Sequence, residues 1–257
     1  TLDIQGSFVA TTADRIQLGD TGYFSAARSQ TSSLLSVSPG ALFFNAVATQ
    51  PTSIINQGNL ATPKNLTLSA GNLDLQGQLK AGGDLTLQAQ DTVKVRDSLT
   101  TPFLANSGGN LTIIGNRGID ILALNHPTQT PFISGGNLSF IGDGVISLDA
   151  RFASGGSFSI QSLSGGLANF VSLYDPIISS NGDVDVAANY TGASLLVESK
   201  GNIRFQGDIN ITGPDTNTLP AGQDTATLST SSALILRSGQ SALVYGGVNS
   251  GAVPNAG

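Results

Sequence analysis

Apolar and polar residues alternate in short runs along this chain, and glycine with a small polar residue introduces each run. Gly83-Asp84 leads into Leu85-Thr86-Leu87, Gly109-Asn110 into Leu111-Thr112-Ile113, Gly136-Asn137 into Leu138-Ser139-Phe140, and Gly156-Ser157 into Phe158-Ser159-Ile160. Gly182-Asp183 before Val184-Asp185-Val186, Gly201-Asn202 before Ile203-Arg204-Phe205, and Gly71-Asn72 before Leu73-Asp74-Leu75 repeat the arrangement. A period of two sends alternate side chains to opposite faces, so each run reads as a short strand with one buried face. The glycine marks a place where a Cβ would collide or where φ must be positive.

Spacing turns these strands into an architecture. From Gly83 the glycines recur after 26, 27, 20, 26 and 19 residues. A second strand recurs within the period (Gly118 before Ile119-Asp120-Ile121; Gly144 before Val145-Ile146-Ser147-Leu148). A third precedes the next glycine (Pro102-Phe103-Leu104, Pro131-Phe132-Ile133, Arg151-Phe152-Ala153, Pro176-Ile177-Ile178). Self-similarity at 19–27 residues with about three short strands per coil predicts an all-β solenoid, a right-handed parallel β-helix. One coil cannot bury its apolar residues alone, but stacked coils about 4.8 Å apart make a continuous core. A β-sandwich would need hairpins and would not return a Gly-Asn corner in phase.

The pattern predicts one domain over residues 1–250. Residues 1–63 read as irregular coils with an excursion, with strands at Leu34-Leu35-Ser36-Val37 and Ala41-Leu42-Phe43-Phe44. Residues 64–211 are regular coils. Residues 212–225, with Gly213-Pro214 and Leu219-Pro220, read as a protruding loop. Ala233-Leu234-Ile235-Leu236 and Ser241-Ala242-Leu243-Val244 resume coils within 226–250, and 251–257 read as a flexible tail. Neither end carries an obvious polar cap.

Composition supports strands and turns. There are 32 glycines, charged residues make up 11%, and Cys, Met and Trp are absent. Surface helices usually need more charge than that. The net charge of −6 without a basic stripe argues against nucleic-acid binding. Lack of cysteine excludes a disulfide scaffold and a thiol nucleophile. No run of 18 apolar residues and no signal peptide occurs, and the chain, opening at Thr1, reads as a segment of something longer.

Several carboxylates are candidates for acid–base pairs. Asp183 and Asp185 share a strand, Asp84 and Asp208 sit at corners, and Asp120 and Asp149 lie on second strands. The equivalents of Asp185 on neighbouring coils are Ser159 and Arg204, so no acidic ladder forms, and solvated strand polars are the simpler reading. His126, the single histidine, stands before Pro127 in a corner loop, and without cysteine offers no zinc site. Gly142-Asp143-Gly144 occurs once, whereas calcium-binding repeats need tandem copies. Asn110, Asn137 and Asn202 read as corner residues that bond backbone or stack as a ladder. No phosphate loop or nucleophile elbow is present. The sequence therefore assigns no catalytic, cofactor-binding or metal-binding residue and no cofactor.

Gly-Gly-Asn-Leu at 108–111 and 135–138, and Asn189-Tyr190-Thr191-Gly192-Ala193-Ser194-Leu195 followed by Gly201-Asn202-Ile203, resemble the repeats of large cyanobacterial exoproteins. Ala13-Asp14-Arg15-Ile16, followed by Leu34-Leu35-Ser36-Val37 and Ala41-Leu42-Phe43-Phe44, extends that resemblance to about Ala13–Val244. These are the filamentous-haemagglutinin-like proteins of two-partner secretion. The resemblance implies a right-handed β-helix, export through a dedicated outer-membrane transporter, and a place on the cell surface or in the medium. The family's secretion domain, with its Asn-Pro-Asn-Gly motif, is expected to lie upstream and to be missing from this chain.

The expected role is a non-enzymatic structural or adhesive rod that meets a surface glycan or protein receptor through its loops. A filament subunit stacking end to end is the alternative, because an uncapped coil is an open edge. A carbohydrate-active β-helix enzyme is a third reading.

Overall fold

A computed structural model describes residues 5–18, 22–25, 39–43, 52–98, 100–126, 129–217 and 221–246. Three parallel sheets of eight strands each surround one core, and successive strands of the chain fall on successive sheets. The first sheet begins Phe8–Thr11, Leu66–Ala70, Leu85–Ala89 and ends at Ile203–Phe205. The second runs from Ser53–Asn56 through Asn72–Leu75 to Ile209–Gly213, and the third from Leu60–Thr62 through Gln78–Ala81 to Leu234–Arg237. The fold is thus the expected parallel β-helix. Each coil serves as the long crossover that parallel pairing requires.

Identical or similar residues meet in register. Leu66, Leu85, Leu111, Leu138, Phe158 and Val184 form one inward column of the first sheet. Inward leucine, isoleucine, valine and phenylalanine from all three sheets merge into a single buried cluster. Phe103, Phe132 and Phe152 stack with ring centroids 5.5 and 5.2 Å apart, and Phe140 meets Phe152 edge-on at 5.1 Å. Each buried side chain contributes on the order of 1.5–3 kcal/mol.

The corner from the third sheet back to the first holds the phase. Asn65 Oδ1 accepts the Asp84 N–H, Asp84 Oδ1 the Asn110 N–H, Asn110 Oδ1 the Asn137 N–H, and Asn137 Oδ1 the Ser157 N–H, at 2.8–2.9 Å. Asp183 Oδ1 likewise accepts the Asn202 N–H at 2.7 Å. The glycine of the next coil lies against that oxygen: an added Cβ at Gly109 would stand 2.3 Å from Asp84 Oδ1. The glycine is demanded here by close approach, since φ is positive only at Gly77, Gly165 and Gly239 among the described glycines. Just before the corner, Ser107, Ser134 and Ser154 are buried and donate their hydroxyls to the carbonyls of Gly109, Gly136 and Gly156. The device is Ser-Gly-Gly followed by Asn (107–110, 134–137) or Ser (154–157), with the first serine facing inward.

One repeat falls elsewhere. Asn72–Leu75 belongs to the second sheet, and the equivalent first-sheet corner is Lys64-Asn65 before Leu66. Residues Arg15–Leu18, Gly22–Ser25 and Pro39–Phe43 form a three-stranded antiparallel sheet. The strand expected at Leu34–Val37, and the tail at 251–257, lie outside the described residues. Residues Thr225–Thr230 form a short helix, α1, and Ser241–Gly246 form no strand.

Candidate functional site

The outward side of the third sheet differs from its counterparts. Arg151–Ser154, Ile177–Ser180 and Leu195–Ser199 are buried on both faces. Helix α1 presses Leu228 onto Ile177 and Leu196, with Ile235 and Tyr245 completing a second small apolar cluster outside the barrel. Across this cover runs Ser241–Gly246 as a strap. Fully buried Glu198 anchors it: Oε2 accepts the Val244 N–H at 2.9 Å, and Oε1 accepts the Tyr245 N–H and the Ser179 hydroxyl, both at 2.7 Å. Arg237 donates to both oxygens of Asp224 at 2.7 and 2.5 Å, and the Tyr245 hydroxyl donates to Asp224 Oδ2 at 3.1 Å. These bonds, the Arg237 contact first, hold the Asp224 carboxyl below the usual carboxylate range.

The corner between the second and third sheets collects buried charge. Asp97 accepts the N–H groups of Phe103 and Asn125, both at 2.8 Å, and its Oδ1 lies 3.2 Å from His126 Nε2. Burial would raise its pKa, but these hydrogen bonds, His126 foremost, bring it below the ordinary value. Asp149 Oδ1 accepts the Leu173 and Tyr174 N–H groups at 2.6 and 3.1 Å, and burial raises its pKa despite them. Asp215 Oδ2 accepts the Asp175 N–H at 2.8 Å, with burial again raising the carboxyl.

Asp175 is the most perturbed of these acids. It is 1% exposed and adopts φ +54°, a region aspartate tolerates better than most residues. Burial pushes its pKa up to about 7; Arg151, with Nε 3.8 Å from Oδ2, lowers it in part, and Asp215 raises it. Asp175 Oδ1 and Arg151 Nε are buried without hydrogen-bond partners, while Arg151 Nη2 donates to the Gln129 carbonyl at 2.7 Å. Among the described residues no group of three or more His, Asp and Glu is arranged to hold a metal ion.

Beside the covered coils the third sheet opens into a groove of about 440 Å³, lined by Lys80, Leu104, Asn106, Gln129, Pro131 and Ile133.

The candidate carboxylates are dispersed. Asp84 and Asp183 cap the next coil, Asp120 pairs with Arg96 at 2.5 Å, and Asp185 pairs with Arg204 while accepting from Gln206. Asp208 offers its backbone N–H to Asn189 Oδ1. Only Asp149 joins the buried corner. Sequence reasoning passed over Arg151, Asp175, Glu198, Asp215 and Asp224. A signal existed: Leu195-Leu196-Val197 and Pro176-Ile177-Ile178 break the alternation with continuous apolar runs, as strands buried on both faces do.

The sequence pattern of the TPS secretion domain, the domain of two-partner secretion, matches residues 1–173. No curated protein and no solved structure matches the chain. The match overturns the expectation that the secretion domain lies upstream and is missing: it is here. Residues 1–173 span the coils from Phe8 to Ser172, so this domain is itself built of stacked coils, and coil periodicity could not distinguish it from a downstream repeat. The Asn-Pro-Asn-Gly motif taken as its mark does not occur in the chain. The chain belongs to the two-partner-secretion exoproteins defined by this domain, which implies a secreted protein exported across the outer membrane by a partner transporter.

Proposed function

We propose that this chain is the export-directing segment of a filamentous-haemagglutinin-like exoprotein, a non-enzymatic rod at the cell surface or in the medium. The observation that carries the reading is the coincidence of the TPS secretion domain with the β-helical coils. The partner in export is the outer-membrane transporter. Contact with a surface glycan or protein receptor falls to the excursions: the irregular start and residues 212–225. The latter segment is anchored inside by Asp215 and has Ala221, Gly222 and Gln223 exposed. The test is expression in a Gram-negative host with and without the cognate transporter. Transporter-dependent appearance in the medium is expected; retention in the periplasm beside a functional transporter would overturn the reading. Turnover of acidic polysaccharides by the purified chain would overturn its non-enzymatic part.

A second reading, a subunit that stacks end to end, rests on the last described coil. Ile203, Phe205, Ile209 and Ile211 are only partly buried there, and Leu234 and Leu236 are 42% and 44% exposed. Among the described residues the strands Ile203–Phe205, Ile209–Gly213 and Leu234–Arg237 pair on one side only, and such an edge can take another strand. Electron microscopy distinguishes the two: uniform long fibres support stacking, and isolated short rods count against it.

A further inference from the structure

Asp175-Pro176 is the single Asp-Pro pair in the chain, and the peptide bond between them is held from both sides. Upstream, Asp149 Oδ1 accepts the Leu173 and Tyr174 N–H groups, and Asp215 Oδ2 accepts that of Asp175 at 2.8 Å. Downstream, the Ile177 N–H donates at 2.7 Å to the Asp175 carbonyl oxygen. That donor polarises the carbonyl and stabilises negative charge that develops on its oxygen. The Asp175 side chain is buried beside it. Its Oδ1 has no hydrogen-bond partner among the described residues, and Arg151 Nε stands 3.8 Å from Oδ2. The φ of +54° is far from the extended region that a residue before proline prefers, so the backbone is strained at this bond. A carboxyl with a free oxygen thus adjoins a strained, polarised carbonyl whose nitrogen belongs to a tertiary amide.

We propose that Asp175 cleaves its own peptide bond to Pro176. One carboxyl oxygen bonds to the Asp175 carbonyl carbon, the carboxyl proton passes to the Pro176 nitrogen, and the C–N bond breaks. The product is a five-membered cyclic anhydride at Asp175 and a free secondary amine at Pro176. Water then opens the anhydride, leaving Asp175 with two carboxyl groups. The chain acts once on itself and turns over nothing. The step needs the neutral carboxyl, because its proton leaves with proline. Burial supplies that form by pushing the Asp175 pKa up to about 7; Asp215 and Asp149 also oppose its ionisation, and Arg151 favours it. The bond lies just past residue 173, where the secretion-domain match ends, so the cut parts that domain from the coils that follow. Three strand pairs span the cut: Arg151–Ser154 with Ile177–Ser180, Phe158–Gln161 with Val184–Val186, and Ala168–Ser172 with Ala188–Ala193. They hold the pieces together until the protein is denatured.

The purified full chain is incubated at about pH 5.5, folded or in urea, and read by denaturing electrophoresis, mass spectrometry and N-terminal sequencing. From the folded chain two pieces are expected, 1–175 and 176–257, the second opening at Pro176, at a rate independent of protein concentration. Unfolding is expected to slow the cut by roughly tenfold or more, because the exposed carboxyl has lost its proton at that pH. The folded rate is expected to hold steady below about pH 6 and to fall above about pH 7. Asp175→Asn, which tolerates the same backbone region, is expected to leave the chain whole. A folded chain that stays intact would overturn the proposal. Equal rates in the folded and unfolded chains would do the same, since they mark an ordinary acid-labile bond, and so would cleavage of Asp175→Asn at the wild-type rate. No transporter enters the assay, so its outcome is separate from that of the export reading.

Discussion

Asn110 Oδ1 accepts the backbone N–H of Asn137 at 2.9 Å, and the same oxygen would stand 2.5 Å from a Cβ added at Gly136. One side chain thus orients the next coil and dictates the residue that precedes its partner. Gly136→Ala is expected to destabilise the protein by about 1–3 kcal/mol, as overpacking typically does. Gly166→Ala, where nothing lies within 4 Å, is expected to be near neutral. Urea denaturation of the two variants checks this. Adding Asn110→Ala to Gly136→Ala should cost less than the sum of the single changes, because the nearest contact is gone and only tight backbone approaches of 3.1 and 3.2 Å remain.

Asp175 gives the stability a pH dependence. Its folded pKa, about 7, lies above the unfolded 3.8, so the folded state holds the proton more tightly. The contribution is complete below about pH 4 and is lost as pH rises toward 7, at a limiting slope of about 1.4 kcal/mol per unit. Asp175→Asn, which tolerates the same backbone region, is expected to flatten that fall. Thermal melts from pH 4 to 8 measure the difference; parallel curves for the two proteins would refute it.

The two apolar clusters should respond differently to truncation. Phe140→Ala removes a ring that meets Phe132, Phe152 and Phe158 and is expected to lower global stability by about 3–5 kcal/mol. Leu228→Ala touches only the outer cluster. Hydrogen exchange is expected to quicken in α1 and the strap for that variant while Leu111–Gly115 stays protected.

Glu198→Ala strands the Val244 and Tyr245 N–H groups and the Ser179 hydroxyl at once. Bonds to a charged group contribute roughly 1.5–3 kcal/mol each, so the strap is expected to detach. Faster chymotrypsin cleavage after Tyr245, with the coils intact, is the expected readout.

The stack was legible because its causes are local. Period two, the Gly-Asn corner and the recurring spacing each reflect contacts between residues one coil apart. What stayed hidden depends on long separations or on the inward side of a corner. Asp175 meets Asp215 across 40 residues, and Glu198 meets Tyr245 across 47. Gly71-Asn72 mimics the first-sheet corner because glycine and asparagine also suit the turn into the second sheet. Ser107, Ser134 and Ser154 escaped notice because a lone serine ahead of two glycines reads as loop, although each is buried. The secretion domain escaped because it shares the coil with everything after it.

Every described return from the third sheet to the first uses three residues: 63–65, 82–84, 108–110, 135–137, 155–157, 181–183 and 200–202. The opposite corner ranges from Ala150 alone to residues 214–233. The rod therefore has a timing edge, where one added residue would throw every later coil out of step, and a tolerant edge that absorbs length. Foreign peptides grafted at 97–103 or 123–131 would leave the timing untouched. The same graft between Ser134 and Leu138 would break it.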